Sequence, residues 1–266
     1  MLEYIRKLLL ENRIELCGAI PLSECAILRP HLLTKAGISD GSVIVFAVPY
    51  YVDDGEGSPI SIYAVPKDYH LYFKELSEYM IPRLNERFKG NKFAVFSDHS
   101  PINEVEAAAK CGLGTIGKHG LLITEKYSSF VFIGSLITDA VIDAPVSDIK
   151  LCENCGLCQK HCPASLSKNE CLSAITQKKG ELSKDEIALI REHRTAWGCD
   201  ICQLACPHTK KAILRGTINS EIPFFLSNRL PFPTYEDIIN MSDEEFSERA
   251  YSWRGRALIL RNLKLL

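Results

Sequence analysis

Apolar residues at Leu2, Ile5, Leu8 and Leu9 recur at helical spacing, so the chain is expected to open with an amphipathic helix. Ser42 to Val48 is a continuous, largely β-branched run that stops at Pro49 and predicts a buried strand. A loop rich in Asp53, Asp54, Gly55, Gly57 and Pro59 follows, long enough to act as a lid or binding loop. From Tyr69 to about Phe88, the positions Leu71, Phe73, Leu76, Tyr79, Met80 and Leu84 fit a helix. Lys92 to Phe96 reads as a short strand with Asp98 just past its end. Pro101 to Lys110 reads as a helix, and Phe130 to Ile137 as a third strand. Helices and strands thus alternate over the first part of the chain and predict an α+β fold with mixed α/β character there.

After Asp143-Ala144-Pro145 the strand pattern ends and the cysteines begin, so a domain boundary is expected near residue 147. The expected organisation is a catalytic domain over 1–147, a cysteine-rich domain over 148–210 and a wrapping segment over 211–266. Pro223, Phe224, Phe225, Pro231, Phe232 and Pro233 give that last segment its irregular character. Ser242 with Glu245 matches a capping box. The last 21 residues carry Arg249, Arg254, Arg256, Arg261 and Lys264 against the single acid Glu248.

The 266 residues suffice for one large domain or two modest ones. Hydrophobic residues at 46% and charged residues at 24% exclude a disordered or collagen-like chain. A net charge of −2 excludes a global basic field, so any nucleic-acid contact must be local. The charged N-terminal stretch lacks a signal-peptide core, and no apolar run is long enough for a membrane span, so the expected compartment is the cytoplasm. Clustered thiols in a reducing compartment point to metal binding or catalysis.

Of the eleven cysteines, Cys17, Cys25 and Cys111 are scattered and expected to be small core residues; the other eight fall between Cys152 and Cys206. Cys152, Cys155, Cys158 and Cys162-Pro163 repeat the spacing in which three cysteines hold one cubane and the fourth reaches a second. Cys199, Cys202 and Cys206-Pro207 return the favour, and Cys171 completes eight thiolates for two [4Fe–4S] clusters. The crossing rule assigns Cys152, Cys155, Cys158 and Cys206 to one cluster and Cys162, Cys171, Cys199 and Cys202 to the other. A structural zinc site would use four thiolates and leave Cys158, Cys162, Cys171 and Cys206 idle. Two neighbouring clusters make a path for single electrons, which calls for a redox centre in the preceding domain.

Gly112-Leu113-Gly114-Thr115-Ile116-Gly117 matches a dinucleotide fingerprint, but a helical segment precedes it and a β-like one follows, the reverse of what that motif needs. Gly117-Lys118 is followed by His119 rather than Ser or Thr, which removes the phosphate-loop reading. The glycines are expected to let a backbone approach a bulky ligand.

Five segments in order give the chain its resemblance to a known family: Tyr63 to His70, Asp98 to Glu104, Gly112 to His119, the cysteine array with Trp197 to Pro207, and Arg256 to Asn262. The chain resembles the epoxyqueuosine reductases, cobalamin-dependent iron–sulfur enzymes that complete queuosine synthesis on tRNA. The resemblance implies a nitroreductase-like cobalamin-binding domain followed by a ferredoxin-like domain with two [4Fe–4S] clusters. It implies reduction of the epoxide to an alkene with two electrons and two protons, and an external low-potential donor such as ferredoxin or flavodoxin.

Asp98 matches the family's proton donor, a role that requires burial or a nearby negative charge; otherwise it reads as a strand-end cap. Asp68, Tyr69 and His70 are implied to line the cofactor or substrate pocket, against the alternative of a capped helix start. Lys118 and His119 are implied cobalamin contacts, against a solvated loop. Arg254, Arg256 and Arg261 are candidates for tRNA phosphates, against a solvated helix face. Relatives commonly continue into a C-terminal helical-repeat extension that grips the anticodon stem; the sequence stops at Leu266, so a weakened grip on tRNA is expected. The family usually has Gly where Ser100 stands and often where Ser128 stands. Two other readings of the cysteine array are a corrinoid reductase of a small molecule, similar to the reductive dehalogenases, and a two-cluster electron-transfer protein.

Overall fold

The computed structural model describes residues 1–167 and 170–266. The chain folds as two compact units, one formed by Met1–Pro49 with Tyr72–Asn154 and the other by Tyr50–Leu71 with Cys155–Leu266. The chain therefore leaves and re-enters the first unit, whereas the sequence suggested one crossing near residue 147.

In the first unit, helix α1 (Leu2–Glu11) precedes strand β1 (Leu16–Pro21), helix α2 (Pro30–Ala36) and strand β2 (Ser42–Pro49). Helix α3 (Tyr69–Arg87) brings the chain back and is followed by β3 (Phe93–Ser97), α4 (Glu104–Lys110), β4 (Thr115–Ile116), β5 (Leu122–Ile123) and β6 (Val131–Thr138). Four strands form a sheet of order β1-β2-β6-β3, antiparallel at every pairing. Strand β2 is buried at all eight positions, as its unbroken apolar run requires of a strand covered on both faces. Phe46 on β2 lies opposite Gly134 on β6. A Cβ at Gly134 would fall 2.4 Å from the Phe46 ring and 2.6 Å from Phe73, so only glycine lets both rings lie across the strand.

Helix α4 presents Ala107, Ala108 and Ala109 to a core that also holds Ile20, Val43, Val45, Ile102 and Ile137. Three small residues let the helix axis lie close against the sheet. Asn103 caps α4 by accepting the Glu106 N–H at 3.3 Å. These contacts fix the start of α4 relative to the end of β3, where Asp98 sits.

The second unit is helical: α5 (Leu157–His161), α6 (Leu172–Thr176), α7 (Lys184–Glu192), α8 (Ile201–Leu204), α9 (Pro207–Leu214), α10 (Pro223–Leu226), α11 (Tyr235–Asn240), α12 (Asp243–Ser247) and α13 (Arg256–Leu263). Its core joins Ile60, Ala64 and Val65 to Trp197, Ile238, Phe246, Tyr251 and Ile259. Residues 211–266 are thus part of this unit's core rather than a separate wrapping segment. The expected capping box is present at the start of α12, with Glu245 N–H to Ser242 Oγ at 3.1 Å and Ser242 N–H to Glu245 Oε2 at 3.2 Å.

The loop after β2 is not a free lid. Asp54 pairs with the Arg229 guanidinium, and the Ser220 N–H donates to the Tyr51 carbonyl at 2.8 Å. Further on, buried Asp200 accepts from Ser61 Oγ and the Ile62 N–H, both at 2.7 Å, and from Gln203 Nε2 at 3.0 Å. Residues 50–71 belong to the second unit because this carboxylate and the Ile60–Trp197 bridge hold them there. Among the described residues, no helix is long and apolar enough to cross a membrane.

Candidate functional site

Strand β3 ends at Ser97, and the His99 N–H donates back to the Ser97 carbonyl at 2.6 Å. Asp98, at the centre of that three-residue turn, has φ +62°. A γ-turn with a positive central φ is rare and strained for a residue with a side chain, and persists only where neighbours enforce it. The neighbour here is Glu104, the first residue of α4, whose Oε2 accepts the Asp98 N–H at 2.9 Å. Glu104 Oε1 accepts from Ser135 Oγ at 3.1 Å, and Ser135 lies 3.2 Å from Ser100 Oγ. Both serines are fully buried. Arg29 donates to the Ser100 carbonyl at 2.9 Å and ties the same loop to the region before α2.

Burial pushes the Glu104 carboxyl up to about 7, with the Asp98 charge adding to the rise and hydrogen bonds from Asp98, Ser135 and Ser100 opposing it. Asp98 itself is exposed. Glu104 is thus the carboxyl next to Asp98, whose own side chain is not buried. Glu104 escaped the sequence reading because an acid in the first turn of a helix is the ordinary complement to the helix dipole. In the sequence it stands out only as the last residue of the Asp98–Glu104 segment that carries the family resemblance, six residues from Asp98 across a turn and a helix start.

Asp68 caps the start of α3, accepting the His70 N–H at 2.9 Å, and its Oδ1 lies 2.8 Å from His70 Nδ1. His70 stacks on Tyr69 at 4.2 Å, and Tyr69 meets Tyr63 edge-on at 6.4 Å. Tyr63 Oη in turn accepts from Trp197 Nε1 at 2.8 Å. The capped-helix alternative is therefore realised, and the same contacts fix the ring of His70. A proton on Nδ1, shared with Asp68, makes Nε2 the accepting nitrogen of the neutral ring.

The glycine-rich segment lies between α4 and the β4–β5 hairpin, so the helix-then-strand order that excluded a dinucleotide site is present. A Cβ on Gly114 would stand 2.2 Å from the Ile123 carbonyl oxygen, so the close approach at that residue is to β5 rather than to a ligand. Lys118 has an exposed side chain, and its N–H donates to Cys152 Sγ at 3.3 Å. His119 Nδ1 accepts the Leu121 N–H at 3.2 Å, which places the ring proton on Nε2. That Nε2 is buried and has no partner in the protein, and burial lowers the affinity of the ring for a second proton.

In the second unit Cys158 lies on α5 and Cys162 at its C-terminus, Cys171 at the start of α6, Cys202 on α8 and Cys206 before Pro207 of α9. Burial pushes the Cys199 thiol up to about 11 and Cys202 to about 12. Both also feel Cys162 and Cys171, so these four thiols lie near one another. Among the described residues no three His, Cys, Asp or Glu side chains converge on one ion. A cubane does not need such convergence, because each thiolate binds a different iron. Four half-buried thiols that would repel one another as thiolates suit a cationic iron–sulfur core, which takes the place of their protons. Elsewhere, Cys25 lies in the first unit's core with Cys111 packed against it, as expected of small apolar side chains.

The three arginines divide. Arg256 donates to the carbonyls of Ile238, Met241 and Ser242 and to Asp243, closing the end of α11. Arg261 donates to the carbonyls of Lys178 and Gly180 and to Asn262. Both are held by acceptors within the protein, while the Nη2 of Arg261 is buried without a partner. Arg254 lies with its guanidinium 3.9 Å over the half-exposed ring of Trp253.

The chain thus combines an antiparallel α+β unit carrying a strained carboxyl turn with a helical unit rich in clustered cysteines. No family model matches the chain. It is 30% identical to the epoxyqueuosine reductase of Gloeobacter violaceus, with 77% of this chain and 68% of that protein aligned. It is 28% identical to that of Lactococcus garvieae, across 98% of this chain and 78% of the relative. The protein of that name from Listeria monocytogenes is 31% identical over 73% of this chain, and the match spans about half of the relative, 53%. The chain belongs to the epoxyqueuosine reductase family. The solved epoxyqueuosine reductase of Streptococcus thermophilus shares the fold with a TM-score of 0.79 at 22% identity, covering 100% of this chain and 80% of that one. A crystal structure of an epoxyqueuosine reductase with an epoxyqueuosine-modified tRNA-Tyr stem loop does so at 0.76 and 20% identity, covering 99% and 80%.

Proposed function

We propose that this chain reduces epoxyqueuosine to queuosine in tRNA, using two [4Fe–4S] clusters and cobalamin, in the cytoplasm. The observation that carries the reading is the Asp98 turn with its Glu104 partner, in a family whose members act on an epoxide. Removing the epoxide oxygen takes two electrons and two protons and yields the alkene and water. The clusters supply single-electron transfer and cobalamin a strongly reducing metal centre, replenished by an external low-potential donor such as ferredoxin or flavodoxin. In this reading the first unit is a nitroreductase-like cobalamin domain and the second a ferredoxin-like cluster domain.

The chain's own residues divide the remaining work. Asp98, on an exposed turn, gives the first proton to the departing oxygen, which leaves as hydroxide, and solvent supplies the second proton that makes it water. Cys162, Cys171, Cys199 and Cys202 hold one cluster, and Cys152, Cys155, Cys158 and Cys206 the other. The Lys118 N–H on Cys152 Sγ stabilises that sulfur as a thiolate ligand. The unpartnered Nε2–H of His119 fits a bound polar group such as a cobalamin amide, and Asp68, Tyr69, His70 and Lys118 are the further cofactor contacts in this proposal. Arg254 is the phosphate contact of the three tail arginines.

The test is anaerobic turnover by cluster-reconstituted, cobalamin-loaded protein given a low-potential reductant and tRNA carrying epoxyqueuosine, with digested nucleosides read by mass spectrometry. Queuosine is the expected product. Unchanged epoxyqueuosine, with both clusters and cobalamin confirmed by their absorbance, would overturn the assignment.

A further inference from the structure

Asp98 occupies a backbone conformation that an L-residue adopts only under constraint, and its own N–H is engaged by a side chain from the following helix. The constraint comes from α4. Glu104 sits in the first turn of a helix clamped to the sheet by its three alanines, and Asn103 fixes where that helix begins. From this rigid base, Glu104 Oε2 takes the Asp98 N–H. We propose that Glu104 is the positioning residue of the reaction, holding the Asp98 turn in its strained form so that the acid is presented to the epoxide oxygen. This inference rests on the proton-donor reading of Asp98 given above.

The serine pair behind Glu104 shows why the hold survives protonation. As a carboxylate, Glu104 accepts the Asp98 N–H on Oε2 and the Ser135 hydroxyl on Oε1. When Oε1 carries a proton, the Ser135 hydroxyl rotates, accepts from Glu104 and donates to Ser100 Oγ at 3.2 Å. Oε2 remains an acceptor for Asp98 in both states. A carboxyl that burial holds near half-protonation at neutral pH thus keeps one geometry across the physiological range. The titratable group facing it is Asp98; Ser100 and Ser135 face it from the loop and from β6, and Arg29 meets the Ser100 carbonyl. The geometry also separates positioning from proton supply. A glutamine at 104 keeps an oxygen for the Asp98 N–H and offers an amide N–H to Ser135, but it delivers no proton.

The experiment compares wild type with Glu104→Gln, Glu104→Ala and Glu104→Asp in the full, cluster-reconstituted and cobalamin-loaded chain. Two readouts are taken: amide hydrogen exchange of the Ser97–His99 segment, and kcat and KM on tRNA carrying epoxyqueuosine. Glu104→Gln is expected to keep wild-type exchange and kcat within about two-fold. Glu104→Ala and Glu104→Asp, the second too short to reach, are expected to speed exchange at the turn by about ten-fold or more and to lower kcat by about 10- to 100-fold with KM unchanged. Wild-type kcat and exchange in both the Ala and Asp variants would overturn the proposal, and so would a Gln variant as impaired as they are, since that result makes Glu104 a proton carrier. If Glu104→Ala does not fold, the Asp and Gln variants decide alone. Failure of wild type to turn over would remove the functional reading, and the exchange data would still show whether Glu104 holds the turn.

Discussion

Replacing Glu104 by Gln should make the protein more stable at neutral and alkaline pH, and the gain follows from the burial of the carboxyl. In the unfolded chain a glutamic acid releases its proton near 4.5, whereas in the folded protein burial holds it to about 7. Between those values the folded state binds more protons than the unfolded one, so stability falls as pH rises through this window. Below it both states are protonated and Glu104 costs nothing by this route; above it the full penalty applies. A rise of roughly 2.5 units at about 1.4 kcal/mol each gives ~3 kcal/mol. Glu104→Gln is neutral at every pH and keeps both hydrogen-bonding directions, so it removes the penalty. Thermal unfolding of both proteins, reconstituted and anaerobic, should give similar midpoints near about pH 4.5 and a variant higher by about 5–10 °C near about pH 8. Comparing the pair cancels histidines and other carboxyls common to both. A difference in midpoint that stays constant over that range would refute the reasoning.

Gly134→Ala should cost about 1–3 kcal/mol, because the new methyl meets the Phe46 and Phe73 rings at 2.4 and 2.6 Å; a lowered denaturation midpoint is the check. Asp200→Ala strands three buried donors from Ser61, Ile62 and Gln203, so at about 1–3 kcal/mol per orphaned group it should lower the midpoint further than Gly134→Ala. Cys202→Ser should take iron from about eight to about four per chain by colorimetric assay, with Cys17→Ser unchanged. Arg254→Ala should weaken tRNA binding and leave the melting midpoint in place, whereas Arg256→Ala, which strips the end of α11 of its donors, should lower the midpoint by a few degrees.

The sequence reading was best where burial and local pattern coincide. Strand β2 is an unbroken apolar run and β6 one broken only by Gly134 and Ser135, and both lie at the middle of the sheet. Strand β1 gave no such signal because Cys17, Gly18 and Pro21 dilute it; the sheet tolerates that composition because β1 is an edge, where a proline has no ladder bond to lose. The placement of residues 50–71 had no local signal at all. It depends on Asp200 reaching across 139 positions to Ser61, a pairing only the folded chain defines.

The same division holds at the site. The cysteine spacing was legible because ligand intervals are a local property, and Asp98 only through the family resemblance, since its position alone reads as a strand-end cap. Glu104 was not, since its importance comes from a hydrogen bond to a strained turn and from two buried serines on other elements. Arg256 and Arg261 show the opposite case: a run of cations in sequence says nothing about the distant carbonyls that hold their guanidinium groups in the fold. Ser128, where relatives often carry glycine, has φ +50°, so the backbone there keeps the conformation that favours glycine.

In the proposed reaction Asp98 delivers a proton to the epoxide oxygen. The most direct test of that step is the amount of queuosine formed per enzyme by Asp98→Asn, set beside wild type at equal cluster and cobalamin loading, with nucleosides quantified by mass spectrometry. The expected rate is lower by about 100-fold or more, within the range a general acid contributes, with tRNA affinity unchanged. Turnover at the wild-type rate would contradict it and place the acid elsewhere on the chain.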